Sequence, residues 1–248
     1  MSFAPHGWKA VLPLRALGVP YTTVFITLHE LREILPKELG LPKVTVPALE
    51  IRRAGEATQI LLDSYNISQY LEANHGTSDR SIYAGTGEVG RHFSRFVEQW
   101  VDRSLAAAIR PCVLHTSYAC FPAEGPNADV ASRKAFLAKC GQSKMNEMTA
   151  LNSDPDWTML QYAAIRQELG TIEILLSERH ERGESGVFLG GGKPIHADFC
   201  VFAFYPYSRT NRQLVEQTWH HESLPYVGKW LQAMQTQGLV SETELLPL

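Results

Sequence analysis

Every stretch with the β-branched and aromatic bias of a strand lies before residue 63, and every long stretch after residue 87 carries apolar residues at helical spacing. A chain divided in this way is expected to set a small α/β unit against a larger all-helical one. Its 248 residues are enough to bury a core of that kind.

Along the first part, residues 8–17 read as a helix that stops at Gly18 and Pro20, with Pro13 predicted to kink it unless it lies near the helix start. Residues 21–26 read as a strand and 28–35 as a short helix. Residues 44–51 and 58–62, separated by the turn Ala54-Gly55-Glu56, read as a hairpin. Asp63-Ser64 opens a helix over 65–74 that ends at His75-Gly76. The polar stretch that follows predicts a domain over 1–76, a linker over 77–86 and a helical domain over 87–248. Within the latter, helices are expected over 89–118 with an interruption at Pro111, and over 130–151, 159–182, 197–205 and 226–237.

Several function classes are excluded by composition and patterning. With 23 Lys+Arg against 26 Asp+Glu the net charge is -3, and no basic block is long enough to cover a phosphate backbone, so no nucleic-acid partner is expected. No segment approaches a membrane span, and the first residues lack a basic region followed by an apolar run, which predicts a cytoplasmic protein. Cys112, Cys120, Cys140 and Cys200 are scattered without a CxxC pair or matching His, so they read as reduced thiols and no metal is expected.

Four local sequences carry a resemblance: Pro5-His6-Gly7-Trp8-Lys9 entering a helix that ends Leu-Gly-Val-Pro-Tyr; Thr45-Val46-Pro47-Ala48-Leu49; Asp63-Ser64-Tyr65-Asn66-Ile67; and Gly190-Gly191-Gly192-Lys193-Pro194-Ile195-His196-Ala197-Asp198-Phe199. They span both parts of the chain, which resembles the glutathione transferases, most of all their etherase-related and Ure2-like fungal and bacterial branches. The resemblance implies a thioredoxin-like α/β N-terminal domain, an all-α C-terminal domain and glutathione as the bound thiol. It also implies a cis Val46-Pro47 bond, with the Val46 backbone receiving the peptide as an added strand would. Ser64 would supply a hydroxyl contact, with Asp63 beside it, where the helix start receives the γ-glutamyl carboxylate. Taken alone, Pro47 reads as an edge proline and Asp63-Ser64 as a helix cap. Asp198 resembles the family's capping carboxylate, with Ile195 in place of the usual Ser or Thr, and its role is expected to be structural.

At the reactive position the chain departs from the family. Members have a first strand and then a Ser, Cys or Tyr that stabilises the glutathione thiolate. Here seven residues precede Trp8, so the first strand is expected to be missing or reduced to Met1-Ser2-Phe3, and Ala4 stands where etherase-like relatives have Ser. Ser2, His6 and backbone N–H groups remain as thiol-activating candidates. A terminal serine is more often incidental, and a histidine at a helix start is as often a plain surface residue.

Phe96, Trp100, Arg103, Arg110 and Tyr118, with Phe93 and His115, are candidates for the wall of a second-substrate pocket, although aromatics at helical spacing usually belong to a core. The expected function is glutathione-dependent conjugation, ether cleavage or isomerisation of a small hydrophobic electrophile by a homodimer. The alternatives are a non-catalytic binding or regulatory protein of the same fold, and a glutathione-independent small-molecule enzyme or lyase using the interdomain cleft.

Overall fold

The computed structural model describes residues 3–83, 87–126 and 128–248. Helix α1 (Pro5–Ala16) places Pro5 at its first turn and runs through Pro13 without breaking. Pro13 has no N–H to offer the carbonyl of Lys9, one turn back, and the Ser68 hydroxyl reaches that carbonyl at 3.4 Å instead. Arg15 ties α1 to the end of the chain through a two-point pair with Glu244, at 2.5 and 2.9 Å, and donates to the Leu239 carbonyl and the Tyr21 hydroxyl.

The expected strand over 21–26 is not one. Those residues make no backbone hydrogen bond among the described residues, and Val24 and Phe25 stand 77% and 72% exposed. Strand bias is realised only against a neighbouring strand, and among the described residues none pairs with them. Of the expected Met1-Ser2-Phe3 strand, Met1 and Ser2 lie outside the described residues and Phe3 sits in a turn. A π-helical turn at Glu30–Ile34 leads into α2 (Leu35–Glu38). The hairpin forms, but β1 (Ala48–Ile51) begins only after Pro47, which cannot donate to a ladder. It pairs antiparallel with β2 (Gln59–Leu62), with Ala48 opposite Leu62.

Next comes α3 (Ser64–His75), and Glu72 near its end accepts from Ser81 Oγ at 2.6 Å and from the Ile82 N–H at 3.0 Å. The long helix that follows is regular through Pro111; its irregular point is a π turn at Val101–Leu105, between α4 (Gly87–Trp100) and α5 (Ala106–Ala119). Residues 130–151 form two helices, α6 (Val130–Cys140) and α7 (Gln142–Leu151), because Gly141 between them takes a φ of 82°, which ends a helix.

Helix α8 (Pro155–Glu181) is capped by Asp154. The chain then folds back as α9 (His196–Phe202), α10 (Phe204–Ser208), α11 (Arg212–Gln217) and α12 (Pro225–Thr236); α11 is absent from the sequence expectation, its six residues being too short for a periodic signal. Every residue of α9 is buried, and one apolar core joins it to α1, α3, α4, α5, α8 and α12. Among the described residues no strand follows β2, only an isolated bridge between Phe188 and Gly191.

Asp198 holds α9 in place: its carboxylate accepts from the backbone N–H of Leu189 and Ile195 at 2.8 and 2.9 Å, and from the Trp230 indole at 2.7 Å. The glycine run before it has a steric reason, since a Cβ on Gly190 would stand 2.4 Å from Ile195 Cγ2.

Candidate functional site

The hairpin register decides what stands beside what. With Ala48 opposite Leu62, Val46 and Pro47 lie just before one strand and Asp63 and Ser64 just after the other, at the same end of the sheet. The Val46-Pro47 bond is cis, as the resemblance implies. Val46 is half-buried against a small apolar cluster of Leu28, Leu31, Val44 and Phe121, and its backbone makes no hydrogen bond among the described residues.

Asp63 is the N-cap of α3, with φ at 74°. Its Oδ1 accepts from the N–H groups of Tyr65 and Asn66 at 3.0 and 3.1 Å, so its carboxylate already occupies part of the helix start. Ser64 is buried, and its hydroxyl makes no hydrogen bond among the described residues. The Arg95 guanidinium lies 3.8 Å from the centroid of the neighbouring Tyr65 ring.

His6 sits in the first turn of α1, half-exposed, its Nδ1 3.9 Å from Asp102 Oδ1 and its ring edge-on to Phe204. Burial, then the charge of Lys9, lowers its pKa below the ordinary 6.5, against an opposing pull from Asp102. The Ala4 N-cap offers no side-chain hydrogen bond. Ser2 lies outside the described residues.

Behind His6 runs a set of charges that sequence reasoning did not single out. The fully buried Lys9 ammonium donates to Asp102 Oδ1 at 2.6 Å and stands 3.6 Å from Glu98 Oε1. Glu98, also buried, accepts from Arg95 at 2.8 Å and faces His196 Nε2 at 3.6 Å, while Cys200 Sγ lies 3.4 Å from that nitrogen. Burial alone would raise the Glu98 pKa, but His196, Lys9 and Arg95 hold it down at about 2. The legible signal was a pair of carboxylates four residues apart, Glu98 and Asp102, with Lys9 between apolar positions of α1. Glu98, His196 and Cys200 have ligand atoms within 4.8 Å of one another. Lys9 and Arg95 already balance Glu98 and Asp102, and burial pushes the Cys200 thiol well up, so the set reads as a closed ionic cluster rather than a metal cage.

The second-substrate candidates stand in different surroundings. Phe96 is 70% exposed, and Arg103 and Arg110 are exposed too, so neither arginine needs the buried counter-charge that made it notable in sequence. Trp100 turns toward α8, its indole N–H donating to Glu168 at 2.9 Å, and Phe93 packs against the main core. Tyr118 lines an open groove of about 590 Å³ with Val130, Arg133, Lys134 and Leu137. That groove lies on one face of α6; Ala135 and Phe136, on another, pack into the cluster that holds Val46.

Comparison with known proteins fits this geometry. Residues 1–79 match the family model described as "Glutathione S-transferase, N-terminal domain". No curated protein matches the chain in sequence. Among solved structures the chain is similar to glutathione transferase GSTFuA3 from Phanerochaete chrysosporium, at 18% identity and a TM-score of 0.70, covering 93% of this chain and 89% of that one. It is also similar to the glutathione S-transferase CsGST63524 of Ceriporiopsis subvermispora in complex with glutathione, at 17% identity and 0.68, covering 96% and 92%. A third is Gtt2 from Saccharomyces cerevisiae, at 17% and 0.64, covering 99% and 98%. Residues 1–79 thus match the glutathione S-transferase N-terminal domain, and the chain has over its length the fold of these solved structures, a thioredoxin-like unit with an all-helical body.

Proposed function

We propose that this protein is a glutathione-dependent enzyme acting on a small hydrophobic or aromatic electrophile by conjugation, ether cleavage or isomerisation. The observation that supports it most is the register that sets the Val46 backbone, unpaired among the described residues, beside Ser64 at the head of α3. The peptide would add to the Val46 edge as a strand does, and the γ-glutamyl carboxylate would meet the Ser64 hydroxyl and N–H. Asp63 sits at the same place but is committed to its capping bonds, so its part is to fix Ser64. Thiol activation falls to His6, or to Ser2. The domain division over 1–76, 77–86 and 87–248 belongs to this reading, as do a homodimer and a cytoplasmic location; among the described residues no helix is long and apolar enough to cross a membrane.

A second reading, a binding or regulatory protein without catalysis, draws on Ala4, which puts no hydroxyl where relatives activate the thiol. Calorimetric titration with glutathione tests the first reading, and turnover of an activated aryl halide separates it from the second. Ser64→Ala is expected to weaken glutathione binding by about 1–2 kcal/mol, the loss of a hydrogen bond to a charged group, with the fold kept. No heat from the unaltered protein at millimolar glutathione would overturn the proposal, and an unchanged Kd in Ser64→Ala would leave that serine a structural residue.

A further inference from the structure

We propose that Asp102 is a positioning residue that holds His6 as the base for the glutathione thiol; the proposal rests on the glutathione reading above. Asp102 stands on the π turn of the long helix and faces the first turn of α1. Its Oδ1 is taken by Lys9 at 2.6 Å, while its Oδ2 has no hydrogen-bond partner among the described residues. Lys9 is also 3.6 Å from Glu98, so Asp102 is not the only counter-charge holding that ammonium in the core. Asp102 differs from Glu98 in reaching the surface: its side chain is 28% exposed and that of His6 38%, which leaves both room to close the 3.9 Å between them. Catalytic hydrogen bonds are often this long before a ligand binds.

A carboxylate at Nδ1 fixes the tautomer with its proton there and leaves Nε2 as the base. In the reaction, the glutathione S–H bond breaks as Nε2 takes the proton. The sulfur electron pair then forms the C–S bond. For a substitution the bond to the leaving group breaks with its electron pair, and the leaving group recovers the proton from Nε2; for an addition the carbon next to the attacked one recovers it. The imidazolium formed between the two steps is what Asp102 stabilises. The charged groups acting on His6 are Lys9 from α1, Glu98 from α4, Asp102 from the π turn and Arg110 from α5, with the Phe204 ring of α10 against its edge. Burial and the two cations favour the neutral ring, which can accept a proton near neutrality.

The test reads the ultraviolet absorption of the thiolate of enzyme-bound glutathione as a function of pH, beside calorimetry of glutathione binding. In Asp102→Asn the affinity is expected to stay within about twofold, while the midpoint of thiolate formation rises by about one pH unit and kcat falls at least about tenfold. Asp102→Glu keeps the charge beside Lys9, and so the fold, but displaces the carboxylate from His6; it is expected to raise the midpoint by a smaller amount. In a His6→Gln background, Asp102→Asn is expected to add nothing further. A wild-type midpoint in both Asp102 variants, or an equal shift with His6 already replaced, would overturn the positioning role while glutathione binding stands. No heat from the unaltered protein would overturn the functional reading and this role together.

Discussion

Glu98→Ala is expected to destabilise the fold by about 3–5 kcal/mol, the range for breaking a buried ion pair from one side. Glu98 is the hub of the cluster: it faces Lys9 from α1, Arg95 from its own helix and His196 from α9. Its removal leaves a fully buried ammonium with Asp102 alone. Replacing Lys9 with Met and Glu98 with Leu together is expected to cost less than Glu98→Ala, because no uncompensated charge then remains in the core.

Acid offers the same test without mutation. The Glu98 carboxyl, ordinarily at 4.5, is held at about 2 in the fold. Its contribution to stability is therefore complete above pH 4.5 and is lost as pH falls from there toward 2. Urea unfolding between pH 6 and 3 should show that loss in the unaltered protein and much less of it in the double variant. Equal acid sensitivity in both would mean that the cluster contributes no net pairing.

Asp198→Ala is expected to cost at least about 3 kcal/mol, since it leaves the N–H groups of Leu189 and Ile195 and the Trp230 indole buried without an acceptor, each a loss of about 1–3 kcal/mol. Burial raises the Asp198 pKa to about 6 even though all three donors favour its ionised form. Trp230→Phe removes one donor of the three and should cost visibly less. Denaturation midpoints decide the matter: a loss under 1 kcal/mol in Asp198→Ala would mean that packing of α9, not its cap, secures the C-terminal half.

Where the chain's structure is local it was readable from the sequence. The long helices after residue 87 show their apolar spacing in the sequence, and the 44–62 hairpin carried its turn in Ala54-Gly55-Glu56. Asp198 was assigned a structural capping role through the resemblance, and its carboxylate accepts from the Ile195 N–H. What depends on a distant neighbour was not. Residues 21–26 have the composition of a strand but no partner strand among the described residues, so they form no regular element. Pro13 read as a kink and Pro111 as an interruption; α1 and α5 continue through them.

The candidate site divides along the same line. Val46, Pro47, Asp63 and Ser64 are linked by a hairpin and so could be placed from sequence, whereas Lys9, Glu98, Asp102 and His196 meet only once α1, α4 and α9 have packed. Phe96, Arg103 and Arg110, singled out by helical spacing, are exposed, which spacing by itself does not tell.

The central claim is that glutathione occupies the end of the sheet between Val46 and Ser64. Its most direct test is a two-dimensional amide spectrum of the isotope-labelled protein titrated with glutathione. The account predicts saturable shifts of the Val46 N–H and of the N–H groups of Ser64, Tyr65 and Asn66 at the head of α3, with the amides of α6 around the Tyr118 groove unmoved. Saturable shifts confined to that groove, or none at millimolar glutathione, would contradict it.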